Sequence, residues 1–147
     1  MKQNSSIKEQ SLNPQPNVRA VAPNEAGESL DDRVLAALHA ASEKKALEPV
    51  ILDLREIASF TDYFVIVSGA NSRQVRTIAE AVEEELTRDA GPKPLRVEGL
   101  NDLTWVLIDY GDIVVHVFLD ETRHYYELER LWSDVPRVAW ADSLSVR

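Results

Sequence analysis

The chain has 147 residues, a formal charge of −9, a 44% apolar share and no cysteine. A body of that size buries a core without metal or disulfide support, and the missing thiols exclude disulfides, thiolate metal sites and cysteine nucleophiles together. No apolar run approaches the roughly 20 residues that span a bilayer, and the start lacks a signal peptide's hydrophobic segment, so a soluble cytoplasmic protein is expected.

Residues 1–28 are rich in Asn, Gln, Ser and Pro without an apolar period, which predicts a disordered N-terminal extension. From Ser29 the pattern changes. Ser29 reads as a helix N-cap with Asp32 three residues on, and Leu30, Val34, Ala37, Leu38 and Ala41 keep helical spacing until Pro49 closes the segment. Val50, Leu52 and Leu54 alternate as a strand. The run around Tyr63–Val67 is a second strand, apolar on both faces and therefore expected at the centre of a sheet.

SGANSRQVRTIAEAVEEEL follows, with Asn71 or Ser72 as a cap and Val75, Ile78, Ala79, Val82 and Leu86 as one helical stripe; Gly91 and Pro92 end it. PLRVEG reads as a short strand. TWVLIDYGDIVVHVFLD reads as two strands about a tight turn, a hairpin. ETRHYYELERLW reads as a closing helix, and residues 136–147 as a C-terminal tail without clear pattern. The expected fold is α+β (mixed α/β): a five-stranded mixed sheet flanked by helices, in the order α-β-β-α-β-β-β-α, over residues 29–135.

The acidity belongs to this body, because residues 49–132 hold 8 Lys+Arg against 16 Asp+Glu. Such a body repels phosphate backbones, which argues against nucleic acid as the main direct ligand. A basic protein partner is the complement; solubility alone is the other explanation.

Catalytic signals are weak. The helix entry SGANSRQVR has the outline of a phosphate cradle but lacks GxxxxGK[ST] and GxGxxG. Asp109, Asp112 and His116 offer either metal or acid/base groups, or the turn of a hairpin and a packed ring. Their spacings match neither HExxH nor a tight histidine pair. Trp105 opens a strand beside a polar loop, as a core ring or as an accessible anchor for a partner. Of Tyr125 and Tyr126, one is expected to stay partly exposed, since a short helix buries a single stripe.

Four pieces in register resemble the ribosomal silencing factor RsfS family, also called Iojap. They are TDYFVIVSGANSRQVRTIAEAV, the VEG of Val97–Gly99, WVLIDYGDIVVHVF from Trp105 to Phe118, and RHYYELERLW, together covering residues about 30–133. The resemblance implies a protein that binds the large ribosomal subunit through its ribosomal protein number fourteen. It would block association with the small subunit and lower translation when nutrients run short. It implies no enzymatic activity, no metal and no cofactor, little direct nucleic-acid contact and no membrane; a homodimer of the free protein stays open. The partner-binding residues it implies are Trp105, Tyr110, Asp112, His116, Phe118 and Tyr126. The family fold is similar to nucleotidyltransferase domains, whose active members follow a GS turn with paired aspartates on the next strand. Here SGANS leads into a helix and no DxD sits on a strand. A nucleotidyltransferase-like enzyme acting on a nucleotide is therefore the alternative function only.

Overall fold

The computed structural model describes residues 32–140 and the backbone of Val18–Ala20. Seven strands form one mixed sheet in the order β1-β7-β2-β3-β6-β5-β4. The strands are β1 (Val18–Ala20), β2 (Leu47–Asp53), β3 (Tyr63–Gly69), β4 (Arg96–Glu98), β5 (Trp105–Asp109), β6 (Ile113–Leu119) and β7 (Arg137–Ala139). Helices α1 (Asp32–Glu43), α2 (Ser72–Thr87) and α3 (Asp120–Tyr125) complete the expected order, with two more strands at its ends.

β3 lies at the centre, parallel to β6 and antiparallel to β2, and nearly every residue in it is buried. That is why its sequence is apolar on both faces. On one face α2 lays down Val75, Ile78, Ala79, Val82 and Leu86, and α1 adds Val34, Ala37, Leu38 and Ala41. Together they pack against Val65, Val67, Val115 and Val117 of the two parallel strands. The start of α2 is closed by reciprocal bonds. Asn71 Oδ1 accepts from the Gln74 N–H at 2.9 Å, and Gln74 Oε1 accepts from the Ala70 N–H at 2.6 Å. The Gln74 amide also donates to the Lys44 and Lys45 carbonyls, tying α2 to the end of α1.

Two expected helices need correction. The first helix stops at Glu43, not at Pro49, because Lys45 reverses the chain at φ 67. Pro49 instead lies within β2 where the register shifts between Leu47 and Val50, an irregularity that spares a residue without an N–H from ladder pairing. Its cap, Ser29, lies outside the described residues. The closing helix is broken. α3 ends at Tyr125, Glu127 adopts φ 51, and a 3-10 turn from Leu128 to Trp132 follows, which drops Leu128 and Trp132 onto the sheet.

Two short strands lie outside the expected span of 29–135. Val18–Ala20, placed in a disordered extension, pairs in parallel with Arg137–Ala139, placed in a patternless tail. Val138 is buried in the main core and Trp140 packs against it. The sheet thus has seven strands where five were expected, since a three-residue strand is too short to announce itself by alternation. Residues 1–17, 21–31 and 141–147 lie outside the described part.

The opposite face of the sheet carries a second, smaller core of Val50, Leu52, Ile66, Phe118, Leu128 and Trp132. Among the described residues, the segment after β6 covers it. Arg123, with no exposed surface, anchors that cover. Its Nη1 donates to Ser68 Oγ at 2.8 Å, its Nη2 to Glu129 Oε2 at 2.8 Å, and its guanidinium stands 6.0 Å from the Trp132 ring centre. No helix among the described residues is long and apolar enough to cross a membrane.

Candidate partner-binding face

The β5–β6 hairpin sorts the expected site residues onto two faces and two ends. Trp105 stands opposite Phe118 and Leu107 opposite His116, so Trp105, His116 and Phe118 share the sheet face away from α1 and α2. Phe64 of the neighbouring β3 meets His116 edge-on at 4.4 Å, and the Trp105 and Phe118 ring centres are 5.0 Å apart. Trp105 keeps 46% of its surface exposed. Its indole N–H donates to His116 Nδ1 at 3.0 Å, which places the proton of the neutral imidazole on Nε2, a buried atom with no hydrogen-bond partner.

Burial pushes the His116 pKa down to about 4, against a smaller upward pull from Asp109. Beside this cluster runs an apolar groove of about 220 Å³, bordered by Leu54, Phe64, Trp105, His116, Leu131 and Trp132. Leu131 stands on its rim 69% exposed.

The turn end of the hairpin is separate. Asp109 Oδ1 accepts from the Gly111 N–H at 2.8 Å and its Oδ2 from Arg96 at 3.2 Å, while Gly111 takes φ 91. Asp112 is ion-paired with Arg33 of α1. Asp109, Asp112 and His116 therefore act as turn, ion-pair and ring-packing groups. Among the described residues they do not converge on one point as metal ligands would.

Tyr110 points into the main core, where burial and, after it, the Glu83 carboxylate push its hydroxyl up to about 12, with Arg33 opposing. The SGANS turn is spent on capping α2. Of the six residues named from the sequence, Trp105, His116 and Phe118 are brought together, with Phe118 beneath the surface. Tyr110 and Asp112 sit at the far turn. Tyr126 lies past the end of α3, edge-on to Tyr125 at 4.8 Å, and both tyrosines are exposed where only one was expected to be. Leu54, Phe64 and Leu131 were missed. Phe64 carried a signal, being apolar on the second face of a central strand, whereas Leu131 is aimed by the backbone reversal at Glu127.

The result is an α+β domain with helices over one sheet face and a partly open apolar groove on the other. A family model described as ribosomal silencing factor during starvation matches residues 27–146. The ribosomal silencing factor RsfS of Halalkalibacterium halodurans is 41% identical over 102 residues, spanning 69% of this chain and 86% of that one. A solved structure of a protein from Bacillus halodurans superposes with a TM-score of 0.65 at 38% identity, covering 74% of this chain and 98% of its own. A mouse relative, mitochondrial assembly of ribosomal large subunit protein 1, is 31% identical over 94 residues, 62% of this chain and 41% of that one. The chain belongs to the ribosomal silencing factor family.

Proposed function

We propose that this protein binds the large ribosomal subunit through its ribosomal protein number fourteen and, from that position, blocks joining of the small subunit, lowering translation under nutrient limitation. The observation that carries the reading is family membership across residues 27–146. The name of the mouse relative, which refers to the ribosomal large subunit, supports the choice of subunit. The acidic body suits a basic ribosomal protein, and a half-exposed Trp105 on the rim of an apolar groove suits an anchor at the contact. Under this reading the protein works in the cytoplasm as a steric block and performs no catalysis, with Trp105, His116 and Phe118 forming the contact face or its floor.

The test is sedimentation of purified subunits through a density gradient. The protein is expected to travel with large subunits and to reduce the joined ribosome peak when added before small subunits. Failure to travel with large subunits, or joining unaffected at saturation, would overturn the proposal.

A further inference from the structure

A second cluster lies away from the groove, outside the carboxyl ends of the parallel strands β3 and β6. Leu47 pairs with Ser68 and Gly69 with Leu119, so Glu48 at the irregular start of β2 and Asp120 at the start of α3 flank the same strand end. His124 follows Asp120 by one helical turn. One His124 ring nitrogen and one carboxylate oxygen from each of Glu48 and Asp120 lie within 4.8 Å of one another. His124 Nδ1 lies 3.1 Å from the Asp120 carbonyl oxygen and 3.4 Å from its Oδ2, and Nε2 lies 3.2 Å from Glu48 Oε1.

We propose that Glu48, Asp120 and His124 form a binding site for a divalent first-row transition ion of the zinc type. In the tautomer whose Nδ1 hydrogen goes to the Asp120 carbonyl, Nε2 turns a lone pair toward the Glu48 carboxylate, whereas the Nε2–H tautomer donates to Glu48. Two acceptors at 3.2 Å repel unless a cation or a proton lies between them. A ring bonded to a backbone carbonyl through Nδ1 and free at Nε2 is the usual posture of a metal-binding histidine. Bonds of about 2.0–2.2 Å set neighbouring tetrahedral ligand atoms about 3.3 Å apart, which the Nε2–Glu48 pair matches at 3.2 Å, while Asp120, whose Oδ2 stands against Nδ1, would turn its carboxylate toward Nε2 on binding.

A further acceptor in the cluster is unmet, since Asp120 Oδ1 is sealed from solvent and has no hydrogen-bond partner. Imidazole with two carboxylates selects zinc, nickel, cobalt or manganese over the all-oxygen sites that calcium and magnesium prefer. The side chains of Glu48 and His124 remain about half exposed, at 52% and 55%, which leaves room for water to complete the shell. The ion would staple α3, and with it the cover over the second core, to β2.

Calorimetric titration of zinc into the full chain tests this independently of any ribosome. One zinc per chain is expected, with a zinc-dependent rise in melting temperature. His124→Ala and Glu48→Gln should each weaken binding at least about tenfold and abolish the rise. His39→Ala should bind as before, although His39 forms the other exposed imidazole–carboxylate pair, with Glu43 at 3.2 Å. The chain holds three histidines and the third, His116, is buried, so these variants cover the candidates. Glu48→Gln keeps the test decisive if His124→Ala fails to fold. Unchanged zinc affinity in His124→Ala or Glu48→Gln, loss of it in His39→Ala, or no binding by the parent chain at millimolar zinc would overturn the proposal, a bound proton then filling the gap.

Discussion

Trp105 donates its indole N–H to Nδ1 of His116 at 3.0 Å, diagonally across the β5–β6 ladder. The bond requires an unprotonated Nδ1. Protonating the ring would set one N–H against another within a buried site, in addition to the desolvation that already holds the pKa near about 4.

A pH dependence of stability follows. The His116 pKa is lowered on folding from an unfolded value of about 6.5, so between about pH 6.5 and about pH 4 the unfolded chain binds the extra proton. Stability from this group is present above about pH 6.5 and drains away as pH falls through that window. From pH 7 to pH 5 the loss is on the order of 2 kcal/mol. Urea denaturation of the parent chain and of His116→Phe at both pH values isolates it, since other groups titrate in both proteins. Equal pH slopes would refute the assignment.

Trp105→Ala tests the contact face. A half-exposed anchor is expected to lose about 2 kcal/mol of large-subunit binding, the usual hot-spot scale. Because the ring is not core, folding should cost less than the roughly 3–5 kcal/mol of a buried aromatic. Association should also quicken at low salt, as attraction between acidic body and basic partner is screened over roughly 8 Å at physiological strength. Full binding by Trp105→Ala with salt-independent association would reject this face while leaving the family assignment in place.

Gly99 fixes where Trp105 begins its strand. Gly99 sits at φ 94, and an added Cβ would lie 2.0 Å from the Trp105 carbonyl oxygen, a backbone atom that cannot step aside. Gly99→Ala should destabilise the fold by about 3 kcal/mol, combining strain with displacement of β5. A chemical denaturation midpoint within error of the parent would show that the loop yields freely.

Arg123 and Glu129 should respond unequally although they are partners. Arg123→Met strips Ser68 of its donor and leaves the Trp132 ring without its cation, so about 2–3 kcal/mol of stability should be lost. Glu129 is 43% exposed, so Glu129→Gln should cost about 1 kcal/mol or less. Thermal unfolding of the two variants side by side checks the ranking.

Much of the fold could be read from local pattern. The α2 stripe, its Asn71 cap, the two-faced β3 and the turn from Asp109 to Asp112 each depend on residues near in sequence, and periodicity and turn chemistry are local properties. Strand alternation by itself implies that His116 and Phe118 share one face and Val115 and Val117 the other, as observed.

What depended on chain segments far apart had to await the tertiary structure. β1 and β7 exist only because backbone from the two ends meets at the sheet edge, where three residues carry no period. Whether Trp105 was core or rim turned on how much of the second face the segment after β6 covers, and that followed from the reversals at Glu127 and the buried Arg123. The cluster of Glu48 with Asp120 and His124 had no sequence spacing to betray it, because its ligands come from opposite halves of the chain and meet through strand pairing.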